Sequence, residues 1–135
     1  MKKIFVDTNI VLDLLQKREA FYSEAQELFT LADRKKIKLS VSSLTIANCY
    51  YILSKHYNAD SARKILTKFK VLVEVLPLDN KIVDLALISE LKDFEDAIQF
   101  YTAIENDMSL IITRNKKDFK RLPLPVLTAK EYLKR

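Results

Sequence analysis

Glycine is absent from this chain of 135 residues. With it go the phosphate cradles and dinucleotide fingerprints that need residues without a Cβ, so P-loop and glycine-rich nucleotide-binding chemistry is excluded. Cysteine occurs once. A single thiol makes no intramolecular disulfide, and the apolar surroundings of Cys49 suit a reducing, cytoplasmic compartment. No apolar run reaches the roughly 18 to 20 residues that cross a bilayer. Met1-Lys2-Lys3-Ile4-Phe5-Val6 meets Asp7 too early for a signal peptide, so an unexported protein without a membrane partner is expected. The lone histidine, His56, lies at the end of a helical pattern beside Tyr57, where it reads as a partner for the helix dipole rather than a catalyst.

What the chain does contain is enough apolar residue, 49%, to build a core, with 30% charged residues around it. Low-complexity disorder is thereby excluded, and the length suits one domain over residues 1–135. The formal net charge of +5 and pI near 9.2 favour a polyanionic partner. Charge alone does not separate that reading from a merely solvated basic surface.

Short apolar runs at Ile4-Phe5-Val6, Leu39 to Ser42, Val71 to Leu76 before Pro77, Leu110 to Thr113 and Val126-Leu127 read as buried strands. Helical spacing appears in Phe21, Ala25, Leu28, Phe29 and Ala32, in Ile46, Cys49, Tyr50 and Leu53, and in Ala62, Ile65, Leu66 and Phe69. Asn80 opens another helix through Leu87, and Asp93 precedes one carrying Ala97, Phe100, Tyr101 and Ile104. Strands alternating with helices predict an α/β fold, a three-layer Rossmann-like sandwich around a mostly parallel sheet with right-handed crossovers. Without glycine, left-handed turn positions are expected at Asn58, Asn80 or Asn106.

Ligands of an open parallel sheet bind beyond the carboxyl ends of its strands, where the strand order reverses. Asp7 ends the first strand, Ser42 and Ser43 the second, and Thr113-Arg114-Asn115 the fourth. Asp96 joins them from the first turn of its helix. Mg²⁺ takes one or two carboxylates plus waters and substrate phosphate, a demand that Asp7 and Asp96 meet. Each acid has a bland reading beside this one. Asp7 and the pair Asp93 and Asp96 also suit helix caps, and for Asp93 the cap is the better account. Asp118, among Lys116, Lys117, Lys120 and Arg121, is either a ligand or a solvated ion pair. The run from Arg114 to Arg121 guides phosphates or is simply a soluble loop face. Tyr50, Tyr51 and Phe69 read as core or dimer contacts rather than base-stacking platforms.

Taken together, Val6-Asp7-Thr8-Asn9 after a first strand, Asp93-Phe94-Glu95-Asp96-Ala97 on a late helix and Thr113-Arg114-Asn115-Lys116-Lys117-Asp118-Phe119 resemble PIN domains. The likeness spans the chain and is nearest to the bacterial branch that shares the VapC toxin fold. It implies an endoribonuclease in which carboxylates hold Mg²⁺ or Mn²⁺ and water attacks a phosphodiester. Asp7 and Asp96 match metal-ligand positions, Asn9 the polar residue beside the first acid, and Thr113 the residue that ends strand four. Two positions depart from the pattern. Thr45-Ile46-Ala47-Asn48 stands where the family has Thr-x-x-Glu, and Asn115 aligns with the usual fourth acid. Asp118 and Glu95 rank next as sources of the missing charge, with Ser43, Asn48 and Asn115 lining the site. Arg114, Lys116, Lys117 and Lys120 are then RNA-binding candidates, and the implied partners are RNA, a small antitoxin protein and a second copy of the chain. A non-catalytic RNA-binding or regulatory PIN-like protein is the alternative that the asparagines suggest. A haloacid dehalogenase-like phosphatase or a receiver domain also places an Asp after strand one. The former wants a second Asp where Asn9 stands, and the latter an acidic pair and a Lys after its last strand.

Overall fold

The computed structural model describes residues 2–119 and 123–135. Five strands, β1 (Lys3–Val6), β2 (Lys38–Ser42), β3 (Glu74–Leu76), β4 (Leu110–Ile112) and β5 (Val126–Leu127), form one parallel sheet in the order β3-β2-β1-β4-β5. The chain runs outward through β2 and β3 on one side of β1, then returns to start β4 on its other side. That reversal puts the switch point between the carboxyl ends of β1 and β4, where ligands of such sheets bind.

Helices cover both faces of this sheet. In order they are α1 (Thr8–Leu15), α2 (Tyr22–Asp33), α3 (Ser43–His56), α4 (Ala59–Phe69), α5 (Asn80–Leu87), α6 (Phe94–Glu105) and α7 (Ala129–Leu133). Alternate side chains of each strand point to opposite faces. Ile4, Val6, Leu39, Val41, Leu110 and Ile112 join residues of α1 to α4 and α7 in one core. Phe5, Leu76 and Ile111 meet Phe100, Ala103, Met108 and Phe119 in the other. The expected three-layer α/β sandwich is therefore what forms.

Two sequence expectations need correction, the start of the third strand and the left-handed turns, and one short helix was missed. The third strand does not start at Val71, because α4 runs on into a 3₁₀ turn over Lys70–Leu72 and leaves Val71 83% exposed. Pairing with β2 begins only at Glu74, opposite Ser40. Phe69 is a core residue, packed edge-on against Phe29, and Tyr50 packs against the same core, so Tyr51 alone of that trio stays on the surface, 65% exposed. A short last helix, α7, was also missed by apolar spacing. Its signal is a capping box in which Thr128 and Glu131 each satisfy the other's backbone N–H.

The other correction concerns the turns. Positive φ falls at Lys17 (50°), Lys35 (59°) and Asp107 (56°), not at the expected asparagines. Asn58 is an extended N-cap, Asn80 is already helical and Asn106 is a C-cap one residue too early. In α2, Lys36 N–H reaches back to Leu31 O at 2.9 Å and Lys35 N–H to Ala32 O at 3.0 Å. These paired bonds are the Schellman closure of a helix, which requires a left-handed residue. The same pair closes α1 around Lys17 and α6 around Asp107. Each position thus carries a Cβ where glycine fits best, at a cost of order 1 kcal/mol. Lys35→Gly is expected to raise the melting temperature by about 2 to 4 °C, a gain of up to ~1 kcal/mol, measurable by calorimetry. A fall would mean that the lysine stem contributes more packing than the backbone costs.

Candidate functional site

Asp7 follows β1 in extended conformation and caps α1, its Oδ1 accepting from Thr8 N–H at 2.8 Å. Burial of this carboxylate, 6% exposed, is unfavourable unless donors replace its water. They do: Gln99 Nε2 donates to Oδ1 at 3.2 Å, Thr113 Oγ1 to Oδ2 at 2.7 Å, and Asn9 Nδ2 lies 3.4 Å from Oδ2. Both carboxylate oxygens are thereby answered by donors from α1, α6 and the end of β4.

Gln99 is the hub of this arrangement. Its Oε1 accepts a short hydrogen bond from Ser42, the N-cap of α3. Its Nε2 donates to Thr45 Oγ1 at 2.9 Å, and the Thr45 and Thr8 hydroxyls pair at 2.7 Å. One buried amide therefore ties the starts of α1 and α3 to the middle of α6. A network this fully bonded rigidifies its members. The sequence reading missed Gln99; its signal was a polar residue three positions after Asp96, on the same face of an otherwise apolar helix stretch.

Asp96 is treated differently. Its backbone N–H is capped by Asp93 Oδ1 at 2.9 Å, but among the described residues no donor reaches its carboxylate. Burial, then the charges of Asp93, Asp7, Asp118 and Glu95, push its pKa up from 3.8 to about 7. Asp7 and Asp96 line one cavity of about 220 Å³ with Asn9, Asn48, Glu95 and Asn115. Six of the expected site residues are thus brought together at the switch point.

The remaining expectations divide. Thr113 stands behind the cavity as a donor to Asp7. Asp118 is half-buried in a 3₁₀ turn over Lys116–Phe119 and acts on Asp96 through its charge, without lining the cavity. Ser43 is corrected: its hydroxyl accepts from Leu78 N–H at 3.0 Å and secures the chain after β3, while Ser42 belongs to the site network. Arg114 is corrected too. Its Nε and Nη2 bind the two oxygens of buried Asp13 at 2.8 and 3.0 Å, and its guanidinium lies over Phe21 at 4.0 Å, so its charge is answered within the protein. Lys116 donates to both oxygens of Glu131 at 2.9 and 3.0 Å. Lys117 is exposed, and Lys120 and Arg121 lie outside the described residues. The sequence reading also missed Asp13 and Arg18.

Among the described residues no three of His, Cys, Asp and Glu are grouped closely enough to form a metal cage. The cavity instead offers two carboxylates, the nearby Glu95 and the amide oxygens of Asn48 and Asn115. An all-oxygen set of this kind suits a hard cation that keeps several waters, and not a nitrogen- or sulfur-seeking one. A larger hollow of about 420 Å³ lies beside it, lined by Ile10, Phe21, Ala25 and Ala129 among others. Its one buried acid, Asp13, is already paired with Arg114, so the small acidic cavity carries the unsatisfied charge.

The two acids should respond oppositely to neutralisation without metal. Asp7→Asn places an amide N–H₂ among donors and is expected to cost about 1 to 3 kcal/mol. Asp96→Asn removes a charge that the fold opposes. Because the pKa of Asp96 is about 7 in the folded state against 3.8 ordinarily, its protonation supports the fold below about pH 4, and that support is lost as pH rises toward 7. Melts in chelator across pH 4 to 8 should show Asp96→Asn increasingly more stable than the parent, with the difference complete above pH 7. Equal melts at every pH would mean that Asp96 is not held among the other carboxylates.

Comparison with known proteins adds a separate line of observation. The chain is 29% identical over 142 residues to ribonuclease VapC1 of Aquifex aeolicus (strain VF5), covering 99% of this chain and 95% of that one. Its fold is similar to that of DNA-bound VapBC from Salmonella typhimurium, with a TM-score of 0.72 and 18% identity over 96% of this chain and 99% of the other. VapBC2 from Rickettsia felis, bound to a promoter DNA fragment, gives 0.68 and 24% over 93% and 96%. VapC20 of Mycobacterium tuberculosis, a toxin that cleaves the sarcin-ricin loop, gives 0.63 and 17% over 80% and 86%. The PIN domain family itself matches residues 3–117, and on that match the chain belongs to the PIN domain family.

Proposed function

We propose that this chain is a divalent-metal-dependent endoribonuclease, the toxin of a toxin–antitoxin pair, acting in the cytoplasm as one PIN-like domain. The observation that carries the reading is the pairing of a fixed carboxylate, Asp7, with an uncompensated one, Asp96, in the crevice between β1 and β4. The name of the Aquifex relative, ribonuclease VapC1, supports the reaction class. The toxin–antitoxin complexes among the structural neighbours support a small antitoxin as partner. Exposed Tyr51, Leu87 and Ile88 leave apolar surface for a second copy of the chain as well.

In this reading Asp7 and Asp96 hold Mg²⁺ or Mn²⁺, with Asn48, Asn115 and Glu95 beside them and Asp118 adding charge from behind. The cation, when bound, supplies Lewis-acid polarisation of the phosphodiester and a more acidic water. Asp7 enters the reaction already oriented by its donors, so no reorganisation accompanies substrate binding. Asp96, whose carboxylate meets no donor among the described residues, is left free to serve as a ligand, and a bound cation would favour its ionised form. The water oxygen bonds to phosphorus as its proton passes to solvent, one P–O ester bond breaks, and the leaving oxygen takes up a proton from solvent. Lys116, Lys117 and Lys120 guide the RNA by its phosphates, the exposed pairing of Lys116 with Glu131 being weak enough to open.

A catalytically weak, RNA-binding or regulatory PIN protein is the second reading, favoured by the lack of a three-acid metal group among the described residues. Cleavage of mixed RNA by the antitoxin-free protein with Mg²⁺ or Mn²⁺, with Asp7→Asn as control, separates the two. Cutting that needs both metal and Asp7 supports the enzyme; RNA binding without cutting supports the alternative. Asn48 offers a further test, because ligand charge count governs affinity for hard cations. Asn48→Glu is expected to tighten Mn²⁺ binding roughly tenfold, about 1.4 kcal/mol, while lowering the metal-free melting temperature through added carboxylate repulsion. Unchanged affinity in a calorimetric titration would place the missing charge at Glu95 or Asp118 instead.

A further inference from the structure

We infer that Arg18 is a phosphate-contacting residue of the active site, the cation that meets a non-bridging oxygen of the scissile phosphodiester across the cavity from Asp7 and Asp96. The inference rests on the ribonuclease reading and adds a residue to it. Among the described residues that line the acidic cavity, Arg18 is the one cationic side chain, sharing that lining with Asp7, Glu95 and Asp96. Its charge also reaches the buried thiol of Cys49, next to Asn48 on α3. An RNA phosphate entering such a cavity meets carboxylates, and a fixed guanidinium offsets that repulsion while offering a fork that matches phosphate geometry.

Arg18 is held in place by more than its own side chain. The Schellman closure of α1 runs from Arg18 N–H to Asp13 O at 3.1 Å and from Lys17 N–H to Leu14 O at 3.2 Å, with Lys17 left-handed at φ 50°. The backbone therefore fixes where the side chain departs. Nε and Nη2 then donate to Gln16 Oε1 at 3.1 and 2.8 Å, and Nη1 stands 3.6 Å from Asp13 Oδ1. Those contacts leave N–H groups of a five-donor guanidinium to spare. Asp13 is already engaged by both donors of Arg114, so two guanidinium groups share one carboxylate and a positive charge remains. Arg114 makes the close contacts from inside. The surplus lies with Arg18, whose side chain is 36% exposed.

Charge on the non-bridging oxygens grows as water adds to phosphorus, so a donor aimed there favours the transition state over the bound substrate. Arg18→Gln is expected to lower kcat roughly 10²-fold and to raise KM only by about the few-fold that one lost single-strand phosphate contact costs. Mn²⁺ affinity, read by calorimetry, should hold or tighten, because a cation has left an anionic cavity. Binding of a short labelled RNA in chelator, where hydrolysis is blocked, should show the slope of log K against log salt falling in magnitude by about 0.7, the loss of one single-strand phosphate contact. Parent kcat together with an unchanged slope overturns the inference. A lower kcat with an unchanged slope and a lower melting temperature also overturns it, assigning Arg18 to the closure of α1. If the parent cuts no RNA, the ribonuclease reading fails, while the salt slopes still decide whether Arg18 touches phosphate. Should Arg18→Gln not fold, Arg18→Lys keeps the charge but loses the fork. A reduced kcat with the parent slope then supports the inference, and parent kcat overturns it.

Discussion

The hydrogen bond from Thr113 to Asp7, 2.7 Å long and buried, joins the two strand ends between which the strand order reverses. A carboxylate in that position is tolerable only because donors surround it, and those donors come from elements far apart in sequence. Removing water from Asp7 therefore requires α1, α6 and the end of β4 to meet correctly. The backbone repeats the demand, since Asp7 N–H extends the β1–β4 ladder to Ile112 O at 3.0 Å. Fold and site are in this sense one constraint: the elements cannot pack as they do without assembling the crevice.

The same geometry explains why the two acids are not equivalent. Asp7 is buried and satisfied, whereas Asp96 is partly buried and surrounded by like charge. A site built wholly of satisfied acids would have little drive to bind a cation, and one built wholly of opposed acids would strain the fold. Dividing the roles gives a fixed point and a site of high potential a short distance apart. Asn48 and Asn115 moderate that potential, because an amide offers oxygen without charge. The metal-free fold is spared further repulsion, and if the proposed cation binds there its affinity would be correspondingly lower.

The sequence made the architecture legible wherever a strong local signal existed. Apolar runs located the strands, and the Asp7, Asp96 and Thr113 motifs located the crevice, because a parallel sheet leaves little choice about where strand ends go. What stayed hidden depended on partners distant in the chain. Gln99 looks like an ordinary helix residue until Ser42, Thr45 and Asp7 converge on it. Arg114 and Lys116 look alike within a basic run, yet one meets a buried acid and a phenyl ring while the other meets an exposed Glu131. The turns were misread for a related reason. Intrinsic preference points to asparagine, but the position of a left-handed residue is set by where each helix must stop, and at Lys17, Lys35 and Asp107 packing overrides preference.

The α1 helix shows how such overrides accumulate into function. Asp7 stands at its start, with Asn9 and Asp13 one turn apart on a single face. The segment after β4 answers each in turn: Thr113 binds Asp7, Arg114 N–H approaches Asn9 Oδ1 at 3.3 Å, and the Arg114 guanidinium grips Asp13. Removing Arg114 would leave buried Asp13 with only the longer contact to Arg18, Nη1 to Oδ1 at 3.6 Å, which is unfavourable for a charge out of water. The last of these three links is a bidentate ion pair, and it lies farthest from Asp7 and Asp96. It fixes the register between helix and loop while the weaker contacts near Asp7 retain correct geometry. Lys17 completes the device by holding a left-handed turn so that Arg18, too, is referred to Asp13. One buried carboxylate thereby sets the position of the loop behind the crevice and of the cation at its mouth, although it makes no contact with the cavity itself.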